Sequence, residues 1–331
     1  MDVFPLAVSL DFLSDTGFWI GVLVLAGIYA LVALGLQLNV GFTGITNFGA
    51  AGFMAIGAYT MALLVLDAGW SFWLALPASM IVSMLFGLLV GLPSLRLRED
   101  YFAIATIALS ELVRATAQNA TSLTHGTQGL FSNDSGTVYF DDTWRNISDS
   151  IQSWLEGLPF FSNVDGLAPL LLVVWVTVVV GAIALSLIQR TPWGRVLRAV
   201  REDEDAARAL GKNAFAYKLQ SLAIAAAIGA LAGTFLAFYL ASLHPDDFQP
   251  LVTFYAYGVL VLGGLASYWG VLAGSVILWV LLEGTRYIDL PISDTQEASL
   301  RFFIVGVVLI LVMIFRPQGA FGNKQEMFLG D

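Results

Sequence analysis

Residues 167–188 read "LAPLLLVVWVTVVVGAIALSLI" and contain no charged side chain. A run of about 20 apolar residues is long enough to cross the hydrocarbon core of a bilayer as one α-helix. Directly after it, residues 189–217 carry a dense set of charges. The stretch therefore predicts a membrane-spanning helix that is followed by a loop in water.

The rest of the chain has the same apolar character. Hydrophobic residues make up 58% of the 331 residues and charged residues 12%, with a mean hydropathy of +0.79. A soluble chain would carry about twice that charged fraction. The short alternating segments typical of a transmembrane β-barrel do not occur in the sequence. The composition predicts an all-α polytopic membrane protein.

Apolar runs recur on both sides of residues 167–188, and each predicts one further span. Together they predict one transmembrane domain over residues 1–331, a bundle of about nine helices with short or discontinuous segments. The seventh and eighth runs are almost contiguous, so they could instead form one kinked or re-entrant feature. The predicted spans are 18–38, 46–66, 71–92, 101–118, 167–188, 218–242, 251–266, 268–287 and 300–315.

The basic residues predict the orientation of the chain. Segment 189–218 holds seven of the fifteen Lys and Arg residues, and cytoplasmic loops of membrane proteins carry an excess of these residues. With loop 189–217 in the cytoplasm, eleven of the fifteen lie on that side. The N-terminus is then outside, the C-terminus is cytoplasmic, and the acidic segment 119–166 is an extracytoplasmic loop.

Few residues have the chemistry of a catalytic or metal centre. The chain has no cysteine, and its two histidines, His125 and His244, lie far apart without the spacing of metal ligands. The predicted spans show no proton relay of carboxylates and histidines. Glu111 is the one candidate for a charged residue within a span. Its spacing from Arg114 allows an ion pair within one helix. We expect no catalytic residue, no metal and no cofactor.

The charged loop 189–217 has signals for two short helices. Thr191 and Pro192 suit a helix start, and a second helix is expected from about Glu202 to Leu210, with Gly211 just past its end. Alanines make part of the second helix thin, so that a groove on another protein could approach its backbone. An ordinary solvated loop would explain the arginines equally well, but not the alanines and the placed glycine.

The segment "DAARALG" (205–211) resembles the E-A-A-x-x-x-G coupling loop of ABC importer permeases. The longer stretch "GRVLRAVREDEDAARALGKNAFAYKL" is similar to the same loop in permeases of branched-chain amino-acid ABC transporters, the high-affinity leucine, isoleucine and valine importer type. Further stretches resemble that family in order along nearly the whole chain. They are "GFTGITNFGAAGFMAIGAY" (41–59), "LRLREDYFAIATIALSELVR" (95–114), "THGTQGL" (124–130), "VLVLGGLASYWGVLAGSVIL" (259–278) and "FRPQG" (315–319).

This resemblance implies a transport subunit in the plasma (inner) membrane of a bacterium or archaeon. Its partners would be a homologous second permease, two cytoplasmic ATP-binding subunits, a periplasmic substrate-binding protein and the lipid bilayer, with no nucleic acid. The sequence has no G-x-x-x-x-G-K-[ST] phosphate loop, so ATP hydrolysis is assigned to the partner chains and this chain is not itself an enzyme. The residues predicted to couple to the ATPase are Arg201, Glu202, Glu204, Asp205, Ala206, Ala207 and Gly211.

The expected cargo is a branched-chain or other neutral amino acid. Two other functions stay open, a permease for urea or short amides and an ion-coupled secondary transporter. The glycine-rich stretch 41–59 could line the substrate path with its polar side chains, or its glycines could serve only close helix packing. The predicted path residues are Thr43, Thr46, Asn47 and Thr106.

Overall fold

The computed structural model describes residues 15–131, 142–157, 166–285, 294–316 and 319, and it confirms the predicted all-α class. A two-residue strand β1 (Leu130–Phe131) pairs antiparallel with β2 (Ser242–Leu243). Short 3-10 turns cover Gly126–Gln128 and Pro245–Phe248. The helices are α1 (Thr16–Leu36, continued by a π-helix over Gln37–Thr43), α2 (Ala50–Leu66), α3 (Phe72–Ser94), α4 (Glu99–Asn119), α5 (Thr121–Thr124), α6 (Asp142–Glu156), α7 (Ala168–Arg190), α8 (Pro192–Glu202), α9 (Glu204–Ala209), α10 (Ala214–Leu240), α11 (Pro250–Gly263), α12 (Tyr268–Gly284) and α13 (Asp294–Phe315).

Each predicted span overlaps one of these helices. Four of them are long and apolar enough to cross a membrane, namely α1 with its π-helix, α3, α7 and α10. Helices α11 and α12 meet that criterion only as a pair, and they are bent by 115° at the break between them. The alternative that these two form one kinked or re-entrant feature agrees with this bend, and the total of about nine crossings stays a prediction.

Helix α10 lies at the centre of the bundle and is buried on nearly all sides, with α1, α2 and α3 packed around it. Small residues make this possible because they let helix backbones approach closely. A Cβ on Gly233 would lie 2.0 Å from the Met54 carbonyl oxygen, and one on Gly57 would lie 2.2 Å from the Ala230 Cα. Close packing is therefore one role of the glycines in α2 and α10.

Four helices present large apolar side chains outward. Leu89 of α3, Ile104 of α4, Val180 of α7 and Ile314 of α13 are each exposed by 60% or more. Apolar surfaces of this extent are unusual on a soluble monomer and mark contact with lipid or with another protein. They are the outer faces of the bundle.

Helix α10 also separates the two ends of the molecule. Its 27 residues span about 40 Å at 1.5 Å per residue. Loop 189–217 joins its first residue, whereas β2 follows its last residue and pairs with β1 of segment 119–166. The basic loop and the described parts of the acidic loop therefore lie at opposite ends, as the predicted orientation requires. The remainder of segment 119–166, residues 132–141 and 158–165, lies outside the described residues.

Candidate functional site

The basic loop folds as predicted into two short helices with local caps. The Thr191 hydroxyl accepts a hydrogen bond from the Gly194 amide and caps α8. The Asp203 carboxylate accepts one from the Ala206 amide at 2.9 Å and caps α9. Because Asp203 holds this cap position, α9 begins at Glu204, two residues later than expected. Gly211 follows with φ of +77°, the left-handed conformation predicted for the end of this helix.

The seven predicted coupling residues divide into two groups. Three have buried or half-buried side chains: Arg201 donates to the Gly41 carbonyl, Glu204 accepts from Lys218 and Arg208, and Ala207 is buried in a small apolar cluster. The other four, whose side chains or backbone are exposed at the tip of the loop, are Glu202, Asp205, Ala206 and Gly211.

Leu210 is part of the same tip and was not predicted as a coupling residue. Its side chain is 80% exposed, more than any other large apolar side chain in the described part of the molecule. It stands beside Ala206 and Gly211 in a loop otherwise rich in charge. A single exposed leucine is common on protein surfaces, so Leu210 is added to the tip because of its place beside Ala206 and Gly211. Its only signal in the sequence was an apolar residue directly before the capping glycine.

The first span does not lead directly into the second. The π-helix ends at Gly44, which has φ of +73°, and residues 44–49 are non-helical before α2 begins at Ala50. Tyr257 of α11 supports this break, because its hydroxyl donates to the Asn47 carbonyl at 2.9 Å and its ring stacks on Phe48. We call residues 44–49 the first break.

Amide groups at the start of α2 are held by side chains from three parts of the chain. The Thr106 hydroxyl of α4 accepts from the Phe48 amide at 3.0 Å, and the Asn47 side chain accepts from the Gly49 amide at 2.8 Å. Thr253 of α11, which the sequence did not indicate, accepts from the Ala51 amide at 3.1 Å. These contacts supply acceptors that the first turn of a helix lacks.

Two buried polar atoms at this place have no hydrogen-bond partner among the described residues. They are Nδ2 of Asn47 and Oγ of Ser110. Ser110 lines a cavity of about 10 Å³ between α2, α3 and α4, together with Gly49, Gly52 and Thr106. This is room for about one water molecule, so the helices are closed to an amino acid at this place.

The predicted path residues are only partly brought together. Asn47 and Thr106 both lie at the start of α2. Thr43 faces α10, and its hydroxyl lies 2.9 Å from the Ser221 hydroxyl of that helix. The same hydroxyl donates to the Leu38 carbonyl of the π-helix at 2.8 Å. Thr46 lies beside Glu99 at the start of α4. In the closed arrangement these side chains bind backbone groups, which is what the packing interpretation expects, so their role in transport stays a prediction.

A charged cluster lies at the opposite end of the bundle. Arg114 pairs with Glu111, as its spacing predicted, and with Asp246, both at 2.8 Å. Gln118 also donates to Asp246. Burial raises the pKa of the neighbouring Asp247, whose carboxylate accepts from the His244 amide at 2.8 Å. The cluster joins α4 to the turn before α11 and contains no unpaired arginine.

No group of three or more potential metal ligands occurs in the part of the chain that the structure describes. The site therefore consists of a surface loop, a break in the helices and the contacts between them.

The chain matches a family model and several known proteins. The family model described as "Branched-chain amino acid transport system / permease component" matches residues 18–313. The chain is 35% identical to the high-affinity branched-chain amino acid transport system permease protein LivM of Escherichia coli K12, covering 95% of this chain and 72% of the relative. It is 25% identical to LivH of the same organism, covering 91% and 93%. Among solved structures, an ABC transporter in an inward-facing conformation has a TM-score of 0.42 at 18% identity, covering 93% of this chain and 91% of that one.

Proposed function

This chain belongs to the family of branched-chain amino acid transport permease components, and we propose that it is a membrane-spanning subunit of an ATP-driven importer for branched-chain or other neutral amino acids. The family match over residues 18–313 is the observation that carries this proposal. The bundle with its lipid-facing outer surfaces agrees with such a role.

We propose that the chain works with a second, homologous permease. Two permease proteins of one organism, LivM and LivH, both resemble the chain, and the resemblance to LivM is the stronger at 35% against 25%. The partner would then be a LivH-like chain. Two ATP-binding subunits on the cytoplasmic side and a binding protein on the outside complete the assembly that we propose.

The tip of loop 189–217 is the surface that we assign to the ATP-binding subunit. Ala206 and Gly211 have little or no side chain, Leu210 offers an apolar contact, and the carboxylates of Glu202 and Asp205 surround them. Arg201, Glu204 and Ala207 have a different task in this proposal. The contacts of Glu204 and Ala207 hold the loop in shape, and Arg201 joins it to the π-helix, so that a push on the tip moves α8 and α9 as a rigid unit.

The orientation follows from this assignment. If the loop is cytoplasmic, then the π-helix that contacts it is also at the cytoplasmic end, and the beginning of α1 faces outside. Gly319 packs against Gly264 in the break between α11 and α12, so residue 319 lies at the same end as this break. These contacts support an outer N-terminus and a cytoplasmic C-terminus.

For the substrate we propose a path that passes the start of α2. Opening it would require α4 to move away from α2, because Gly49 and Gly52 now contact Thr106 and Ser110. The groups exposed by such a movement are hydroxyls, amides and the amide end of a helix dipole, which bind a zwitterion weakly. Weak binding suits a solute in transit.

Reconstitution of the purified assembly in proteoliposomes tests the function. We expect uptake of leucine, isoleucine or valine that needs both the binding protein and ATP, and we expect no uptake by this chain alone under a proton or sodium gradient. Uptake of urea or a short amide, but not of these amino acids, would contradict the proposed cargo. Gradient-driven uptake by the chain alone would contradict the mechanism.

The docking assignment has its own test. Ala206→Glu places a charged side chain on the exposed tip and should abolish uptake and stimulated ATP hydrolysis while the permease pair still assembles. Ala68→Glu, the same substitution in the exposed turn between α2 and α3 at the other end of α2, is the control for added charge. Normal uptake with Ala206→Glu would mean that the ATP-binding subunit docks elsewhere.

A further inference from the structure

We propose that Arg201 is a positioning residue that transmits movement of loop 189–217 to two helix breaks at once, the first break (44–49) and the second break (264–267). The inference rests on the proposed function, since it concerns how ATP hydrolysis reaches the membrane part. It assigns the transmission to one side chain and to the π-helix that this side chain contacts.

The first link is the contact between α8 and the π-helix. Arg201 is next to the last residue of α8, and its Nη1 donates to the carbonyl oxygen of Gly41. This carbonyl lies in the last turn of the combined α1 and π-helix, where the helix dipole favours a positive charge. The interaction joins residues 160 positions apart in the sequence.

The second link is the close approach of the same side chain to Gly44. A Cβ on Gly44 would lie 3.1 Å from Cγ of Arg201, so the arginine stem rests directly on the turn that begins the first break. Gly44 is in the left-handed conformation that ends the π-helix. A displacement of α8 therefore acts on the residue at which the helical path changes direction.

The third link runs from the π-helix to the second break. The Gln37 side chain is oriented with its amide oxygen toward the second break. This oxygen accepts hydrogen bonds from the backbone N–H groups of Ala266 and Ser267, at 2.7 Å for Ser267. Phe42 stacks on Tyr268, with ring centroids 5.1 Å apart. The π-helix thus lies between α8 on one side and the start of α12 on the other.

These contacts form one continuous chain of packed groups from the cytoplasmic loop to both breaks. The second break joins α11 to α12, and α11 carries Thr253 and Tyr257, which hold the start of α2. Movement of α8 can therefore reach the start of α2 by two routes, through Gly44 and through α11. Both routes begin at Arg201.

A purely structural role predicts a different outcome from a transmission role. If Arg201 only stabilises the helix end, its loss should lower assembly, ATP hydrolysis and uptake together. If it transmits movement, docking and hydrolysis should continue while uptake per ATP hydrolysed falls. The ratio of uptake to hydrolysis is therefore the quantity to measure.

The experiment uses the complete assembly in proteoliposomes and the variants Arg201→Gln and Arg201→Lys. We expect Arg201→Gln to keep stimulated hydrolysis within about twofold and to lower uptake per ATP by about tenfold or more, in line with the loss of a charged hydrogen bond. Arg201→Lys keeps the charge without the planar fork and should restore the ratio in part.

Arg195→Gln is the matched control, because it removes the same charge from the exposed side of α8, away from both breaks. It should keep the parental ratio. An equal fall with Arg195→Gln would mean that the charge of the loop matters and the contact does not, which would overturn the proposal. A parallel loss of hydrolysis and uptake with Arg201→Gln in an assembled complex would also overturn it.

A second variant tests the far end without touching the loop. Gln37→Leu removes the hydrogen bonds to the second break and leaves Arg201 in place, and we expect the same fall in the ratio. If Gln37→Leu kept the parental ratio of uptake to hydrolysis, the link to the second break would be refuted. The same measurement tests the proposal if Arg201→Gln fails to assemble. Failure of the proposed function is distinct, because it would show as absent amino acid uptake by the parent assembly.

Discussion

Thr106→Val is the substitution that best tests how α4 is held against α2. The Thr106 side chain is 1% exposed and is the acceptor for the Phe48 amide at 3.0 Å. Valine keeps the shape of threonine but offers no acceptor, so the Phe48 N–H would stay buried without a partner. Such a group costs about 1–3 kcal/mol in the closed arrangement and little in an open one that water can enter.

This cost shifts the equilibrium toward separation of α4 from α2 by about 5- to 150-fold. Ser110 is a suitable place to measure the shift, since its side chain is 3% exposed and its hydroxyl has no partner among the described residues. Because the chain has no cysteine, Ser110→Cys gives it a single thiol. A small membrane-permeant methanethiosulfonate reagent would then react only when α4 moves away.

We expect the thiol to be labelled about 5- to 150-fold faster when Thr106→Val is added, provided that opening and closing are faster than labelling. Mass spectrometry of the intact chain measures the labelled fraction over time. Thr106→Ser is the control, because it keeps the hydroxyl and should label within about threefold of the parent. Equal rates for the valine and serine variants would refute the reasoning that this hydrogen bond holds the two helices together.

Three further predictions concern packing, the loop and its contact with the first break. Gly57→Leu should lower the stability of the permease by about 1–3 kcal/mol or prevent its assembly, because its Cβ would meet the Ala230 backbone. Gly306→Leu, with open space around residue 306, should be tolerated. Equal melting curves for the two variants would contradict the packing argument. Leu210→Glu should abolish co-purification of the ATP-binding subunit without changing the melting temperature of the permease, whereas retained co-purification would remove Leu210 from the docking surface. Gly44→Cys combined with Arg201→Cys should form a disulfide on mild oxidation, since the two Cβ atoms would lie 3.7 Å apart, and a gel-shift assay that shows no cross-link would place α8 elsewhere.

The sequence predicted well those features of the structure that depend on local signals. The start of α8 at Pro192 and the left-handed Gly211 depend on neighbouring residues alone, and both agree with the prediction. The apolar runs likewise located the helices, because burial in lipid requires the same composition all along a span. The second span was expected from residue 46, but α2 begins at Ala50 because the first break occupies the preceding residues.

The long-range contacts were not predictable in the same way. Thr253, Asp246 and the Arg201–Gly41 interaction each join residues more than 100 positions apart. No sequence periodicity indicates such a contact, because the contact depends on how the helices are arranged around α10. The π-helix was not predicted either, because nothing in its sequence, QLNVGFT, distinguishes it from the end of an ordinary helix.

The central position of α10 has a consequence for the order of synthesis. Gly57 of α2 and Gly87 of α3 pack against Ala230 and Ala226 of α10, which leaves the ribosome well over 100 residues later. The early helices must therefore enter the membrane before the helix around which they pack exists, with their glycine faces against lipid or against the insertion machinery. A nascent chain that stops before residue 214 would keep these faces uncovered, and we expect membrane proteases to recognise and degrade it.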